Sequence, residues 1–213
     1  MAVTTRRLAA GDAQAIPAAL EALRAGGLVV FPTDTVYGVG CDLWNTEAIA
    51  RLYAAKARPL SLAVPVLVAS PADVLQVARS LPVSFESAIG HFWPGALTLV
   101  VPRKLEVPAI LCGDKDSVAV RMPAHALALE LLRQAGGALA VTSANRSGEP
   151  SSATADDAYK DLAGRIDLLL DGGPCAGGTA SAIIDLTADK PRLLRVGPFR
   201  PEELQKVWPT LEA

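Results

Sequence analysis

The chain has 213 residues, 51% of them hydrophobic and 20% charged, with 20 Lys and Arg set against 22 Asp and Glu. This is the composition of one globular domain spanning residues 1–213, and a domain of this size buries roughly 70% of the surface it exposes when unfolded, so it needs neither disulfides nor structural metal. A net charge of -2 argues against affinity that comes from a broad basic face meeting polyphosphate, and nucleic acid is not the expected partner.

Apolar residues at Ile16, Leu20 and Leu23 predict a helix over 12–24, stopped by Gly26-Gly27. Leu28-Val29-Val30-Phe31 reads as a buried strand ending at Pro32, and residues 32–40 follow it as a polar loop. A second helix over 46–57 has Asn45 as its cap, Glu47 in its first turn and Ile49, Leu52 and Tyr53 on one face; Pro59 expels Arg58 from the helical region. A strand at 64–68 precedes a helix opened by Ser70-Pro71. Strands at 97–101 and 118–122, a helix at 125–135 ended by Gly136-Gly137 and a strand at 138–141 come next. Thr154 caps a helix to Leu162, and strands at 166–170, 182–186 and 193–196 with a helix after Pro201 complete the chain. Strands alternating with helices predict an α/β layered domain, and the closely spaced strands near the C-terminus make its sheet a mixed one.

Cys41, Cys112 and Cys175 lie about 60 to 70 residues apart without a C-x-x-C pair, which excludes a zinc ribbon and a disulfide framework. Sparse cysteines, no signal-peptide pattern after Met1 and no apolar run near 20 residues lead to the expectation of a soluble, cytoplasmic protein with no membrane association. His91 and His125 are far apart in apolar surroundings, so no metal cage and no Ser-His-Asp triad is expected. Gly38-Val39-Gly40 begins like a dinucleotide fingerprint, but Leu43 stands where the third glycine belongs, and no P-loop occurs.

Three loops rich in small polar residues follow apolar strands: 32–40, 142–151 and 172–181. In an open α/β sheet, ligands bind beyond the strand ends, although each loop alone is also an ordinary turn in which Asp34 and its neighbouring threonines satisfy backbone amides. Lys56 and Arg58 close the second helix; cations complement a helix C-terminus, and a lysine beside an arginine fork also clamps phosphate. Arg121 stands inside Val118-Ala119-Val120-Arg121-Met122, where a charge needs a carboxylate or phosphate partner, from the protein or from a ligand. With Arg195, these features favour a small-molecule anion site.

Phe31-Pro-Thr-Asp-Thr-Val-Tyr-Gly-Val-Gly-Cys41, Lys56-Ala-Arg-Pro59, Phe92-Trp-Pro-Gly95 with Leu97-Thr98, Val118-Ala-Val-Arg-Met-Pro123, Thr142-Ser-Ala-Asn-Arg-Ser-Gly148 and Asp171-Gly-Gly-Pro174 occur in that order. Together they resemble the YrdC-like threonylcarbamoyl-AMP synthases, in their short single-domain form, over a core of about residues 8–199. The resemblance implies a twisted, mostly mixed sheet with helices packed around a concave pocket. It also implies a reaction that joins L-threonine, bicarbonate and ATP into threonylcarbamoyl-AMP, with release of pyrophosphate, for threonylcarbamoylation of tRNA at position 37. Thr33, Arg121, Val141 and Ser181 would form the threonine site, with Arg121 on the substrate carboxylate. Lys56 and Arg58 would be the catalytic triphosphate clamp, and Leu62, Ser117, Ser143, Asn145, Ser151 and Arg195 would complete the ATP site. Mg²⁺ would be carried by the phosphates rather than by a protein cage. Leu62 departs from the Lys or Asn that many members have there, and Leu67 from the His that some have. The implied partner is the downstream tRNA threonylcarbamoyl-transfer machinery, while the near-neutral charge favours a small polyanion over tRNA itself, whose binding is expected to be weak or absent. The alternative is an RNA- or ribosome-binding paralogue of the same fold without synthase activity.

Overall fold

A computed structural model describes residues 3–211, so the first two and last two residues of the expected 1–213 domain lie outside the described residues. In chain order the strands are β1 (Arg6–Ala9), β2 (Val29–Phe31), β3 (Gly38–Cys41), β4 (Val66–Val68), β5 (Leu97–Pro102), β6 (Ser117–Arg121), β7 (Ala138–Ser143), β8 (Leu168–Asp171), β9 (Ala182–Asp185) and β10 (Arg192–Arg195). The helices are α1 (Ala15–Arg24), α2 (Thr46–Lys56), α3 (Ser84–Phe92), α4 (Ala109–Cys112), α5 (Ala126–Gln134), α6 (Ala155–Leu162) and α7 (Pro201–Gln205). Among the described residues, ten strands form one mixed sheet in the order β1-β8-β2-β3-β7-β4-β6-β5-β9-β10. The expected α/β class and mixed sheet are therefore present.

Local chemistry explains several of the element ends. The Asn45 side chain accepts from the amides of Glu47 and Ala48, at 3.1 and 3.0 Å, and starts α2. Ala57 takes the left-handed conformation (φ 50°) and ends it ahead of Pro59. Thr154 accepts from the Asp157 amide at 3.2 Å and starts α6. The segment opened by Ser70-Pro71 is a 3₁₀ helix, Pro71–Gln76, rather than an α-helix.

Strand alternation gives the sheet two different faces. On one, Val30, Val39, Val66, Leu99, Val120 and Ile184 belong to a continuous core with residues of α2, α3 and α6. On the other, Val29, Phe31, Leu67, Leu139, Val141 and Leu168 pack with the apolar residues of α1 and α5. Those two helices reach only the half of the face formed by β8, β2, β7 and β4. Further along, Thr98, Val100, Ser117, Ala119, Ile183 and Asp185 line an open cavity instead.

Two strands escape the periodicity of the sequence. β1 is largely exposed, with two arginines, and is held by parallel pairing to β8. β3 contains two glycines, and it pairs antiparallel with β2 and β7 within what reads as a loop. Those glycines make room for Val141: a Cβ at Gly38 would lie 2.8 Å from Val141 Cγ1, and one at Gly40 would lie 3.0 Å from Cγ2. Valine is stiff at χ1 and cannot swing aside. Gly38→Ala is expected to cost about 1–3 kcal/mol through overpacking, read as a lower urea midpoint. Adding Val141→Ala should restore most of that loss, and a glycine kept only for turn flexibility would show no such rescue.

Candidate active site

The uncovered half of the sheet face is the floor of a cavity of about 390 Å³. Register sets its layout. Val100 stands beside Ala119 on one side and Asp185 on the other, while Pro102 pairs with Ser117. The floor is therefore apolar in its middle, with Arg121, Thr98 and Ser181 toward one end and Lys115, Ser117 and Asp185 toward the other. The 32–38 segment, Arg58 to Ala63, the 141–143 strand end with Ser151, and Arg195 form the walls.

Arg121 is 6% exposed, and burial is the main reason its pKa lies below the ordinary arginine value. Its Nη2 donates to Asp34 Oδ1 at 2.5 Å, its Nε to the Gly95 carbonyl at 2.8 Å and its Nη1 to Thr35 Oγ1 at 2.9 Å. The carboxylate partner that a charge in this strand requires is thus Asp34. A guanidinium carries five N–H groups, and three of those on Arg121 are spent, which leaves two for a ligand.

Because the Val36 carbonyl only accepts, the hydrogen bonds between it and Arg121 have one direction. Thr35 Oγ1 accepts from Arg121 and donates to Thr33 Oγ1 at 3.0 Å, and Thr33 donates to the Val36 carbonyl at 2.6 Å. Thr33 lines the cavity as expected, but its hydroxyl proton is committed to this turn. A second chain leaves a proton over. Arg195 donates to Ser181 Oγ at 3.1 Å, and Ser181 Oγ lies 2.8 Å from Thr98 Oγ1. Two hydroxyls joined by one hydrogen bond have one O–H to spare, at the cavity wall.

Arg58 lines the cavity, braced by its Nε and Nη2 bonds to the carbonyls of Leu62 and Ala63 at 3.1 and 2.8 Å. Burial lowers the pKa of Arg195, and repulsion from Arg58 adds to it; Arg195 in turn lowers Arg121. Three guanidiniums thus face one space and raise one another's energy, and Lys115 adds a fourth cation to the lining. Asp34 sits against one of them, and Asp185, whose Oδ1 accepts from the Thr187 amide and hydroxyl, is the one carboxylate among the lining residues. Such a field favours an anion.

The structure corrects the expected role of Lys56. Its side chain is 1% exposed, it is not among the cavity-lining residues, and its ammonium donates to the backbone carbonyls of Ser143 and Asn145. Asn145 is also withdrawn from the wall, its Nδ2 donating to the carbonyls of Arg146 and Glu149 at 2.8 and 2.6 Å. The remaining expected residues, Leu62, Ser117, Val141, Ser143, Ser151 and Ser181, all line the cavity, as does Leu67. Lys115, Thr35, Thr98 and Asp185 line it as well and were not expected. Strand alternation offered the signal for Thr98, since it marks 98 and 100 as one face of β5. In the third expected loop, Ala180 and Ser181 reach the cavity, whereas the Gly172 amide and Gly173 carbonyl bind the Tyr37 hydroxyl at 3.1 and 2.7 Å.

Among the described residues no helix is long and apolar enough to cross a membrane, and no group of three or more His, Cys, Asp or Glu side chains is placed to hold a metal ion.

A family model for the Sua5, YciO and YrdC proteins, described as "Telomere recombination", matches residues 21–197. A threonylcarbamoyl-AMP synthase of Pyrococcus abyssi is 42% identical over 185 residues, 87% of this chain and 54% of that protein. A putative threonylcarbamoyl-AMP synthase of Mycobacterium tuberculosis H37Rv is 42% identical over 192 residues, 90% of this chain and 88% of that protein. The crystal structure of P. abyssi Sua5 complexed with L-threonine superposes with a TM-score of 0.92 at 38% identity, covering 100% of this chain and 62% of that one. Escherichia coli YciO, at 24% identity and a TM-score of 0.82 over 95% of this chain, shares the fold. The protein belongs to the Sua5/YciO/YrdC family. It spans about half the length of the P. abyssi relative and nearly nine-tenths of the mycobacterial one.

Burial, then repulsion from Arg58, lowers the Lys56 pKa to about 7 from 10.5, against the opposing pull of Asp161. A lysine depressed in the folded state binds its proton more tightly when unfolded, so its contribution to stability grows as pH rises from about 7 towards 10.5 and is lost as pH falls through 7. The urea midpoint of the ligand-free protein should show this rising component, and Lys56→Met should remove it. An unchanged slope in the variant would contradict the burial of a titrating ammonium.

Proposed function

We propose that this protein is an L-threonylcarbamoyladenylate synthase, which condenses L-threonine, bicarbonate and ATP to threonylcarbamoyl-AMP and pyrophosphate. The observation that carries this reading is the set of three guanidiniums, buried Arg121, half-buried Arg58 and the more exposed Arg195, facing an apolar floor bordered by hydroxyls. The threonylcarbamoyl-AMP synthase relatives and the L-threonine complex of P. abyssi Sua5 support the same chemistry.

In this account the threonine carboxylate takes the free N–H groups of Arg121 beside Thr33, Val141 and Ser181. Its amine combines with bicarbonate, losing water, to give a carbamate. A carbamate oxygen then attacks the α-phosphorus, and the bond from that phosphorus to the β-phosphate oxygen breaks. Arg58 and Arg195 stabilise the charge that collects on the departing pyrophosphate, with Ser143 and Ser151 on the same wall and Ser117 and Leu62 beside the nucleoside. No covalent enzyme intermediate is needed; orientation and fixed cations supply the rate. Mg²⁺ enters as part of the ATP substrate, because a lone wall carboxylate, half engaged by Thr187, does not make a protein cage for it. The adenylate is the activated donor for the tRNA threonylcarbamoyl-transfer machinery.

Pyrophosphate release from ATP should require both L-threonine and bicarbonate. Arg121→Ala should lower kcat/KM by at least about 10²-fold, as expected for loss of a substrate-orienting group, and should remove the dependence on threonine. ATP turnover that ignores threonine in the wild-type protein would overturn the assignment.

A further inference from the structure

The KxR element joins one residue on the cavity wall, Arg58, to one that is not, Lys56. Lys56 is the last residue of α2, and three bonds tie it to the end of β7 and the segment that follows. Its ammonium donates to the carbonyls of Ser143 and Asn145, and its own carbonyl accepts from the Ser147 amide at 2.9 Å. With two of its three ammonium donors on backbone oxygens and 1% of the residue exposed, it has no open path to a phosphate.

The segment it holds is the one whose neighbours meet the cavity. Ser143 and Ser151 line the wall at its two ends. Between them the backbone turns away: the Ala144 amide donates to the Tyr37 carbonyl at 2.8 Å, Ser152 Oγ donates to the Ala144 carbonyl at 2.9 Å, and the Tyr37 amide donates to the Ser152 carbonyl at 2.9 Å. Asn145 is buried with its Nδ2 bonded across the loop, and its Oδ1 has no hydrogen-bond partner in the protein. The loop thus turns several carbonyl oxygens inward, and buried acceptors of this kind must be met. The Lys56 ammonium is the cation around which the Ser143 and Asn145 oxygens close.

We propose that Lys56 is a positioning residue for the synthase reaction: it acts on the nucleotide through the backbone of Ser143 to Ser147, by fixing the Ser143 and Ser151 hydroxyls at the cavity wall, and makes no contact with substrate. This inference rests on the synthase reading for its kinetic test and on the fold alone for its structural one. It separates the two cations of the KxR element, with Arg58 meeting the phosphates and Lys56 building the wall that Arg58 works against.

A double-mutant cycle tests it. Lys56→Met should lower kcat/KM for pyrophosphate release by about 10²-fold, the scale of a loss from sub-ångström to ångström misplacement. Ser143→Ala should lower it less. If Lys56 works through Ser143, the double variant is no worse than Lys56→Met; if Lys56 touches substrate on its own account, the two losses multiply and the inference fails. Should Lys56→Met not fold, the cycle is run on Lys56→Gln, whose uncharged amide stops one bond short of the ammonium position and so does not hold both carbonyls, and the same non-additivity is expected. Hydrogen exchange supplies the readout that does not depend on the reaction. Amides of residues 144–149 should exchange at least tenfold faster in the Lys56 variant while those of β5 and β6 stay protected. Unchanged protection of the loop overturns the positioning role whatever the enzyme's activity. Faster exchange in a protein with no threonine-dependent turnover would leave the structural tie standing and sink the synthase reading instead.

Discussion

The fold depends on a face of the sheet that its helices do not finish covering. α1 and α5 close one half against β8, β2, β7 and β4, and the rest of that face holds Arg121 at the end of β6, directly after Val118, Ala119 and Val120. A guanidinium at this depth is unfavourable without a partner. Asp34 supplies that partner from the loop after β2, so the ion pair ties the loop to the sheet and sets the position of Thr33 and Thr35 beside it. Asp34 Oδ1 also accepts from the Ala124 amide at 3.0 Å, which fixes the entry to α5. One pair therefore joins the Arg121 end of the cavity to the helix that bounds it.

The second constraint is charge. Arg58 and Arg195 lie far apart in the chain and repel across the cavity, and the wall offers them a single carboxylate. In a region of low effective dielectric that repulsion is weakly screened. The ligand-free site is thus held at a higher energy than the same site with a polyanion in it, which couples affinity to the geometry the fold imposes. Lys56 belongs to the same cluster in charge but not in contact, since its ammonium is taken up by carbonyls of the loop that forms the wall.

Much of this was legible in the sequence because the elements are short and their ends are marked. Asn45, Thr154, Pro59 and the Gly136-Gly137 pair bound helices by local rules that tertiary contacts did not alter. The motif residues gave the site its contents, and Arg121 showed its need for a carboxylate through its apolar neighbours. β3 was not legible, because strand propensity speaks against glycine, while the reason for Gly38 and Gly40 is a valine some 100 residues away. α3 did carry a signal in Phe85, Ile89 and Phe92, yet Gly90 and the preceding Pro82 obscured it. The direction of a side chain was harder still. Lys56 and Arg58 are two residues apart on a helix end, and nothing in their spacing tells which one meets the cavity and which one the loop.

The central claim is that clustered cations on the open half of the sheet require a polyanion rather than a nucleoside. Thermal unfolding of the wild-type protein with ATP, and separately with adenosine at the same concentration, addresses it most directly. At a hundredfold excess over its Kd, ATP should add about 2.7 kcal/mol to the unfolding free energy and raise the midpoint accordingly, while adenosine leaves it nearly unchanged. An equal rise with adenosine would contradict the account.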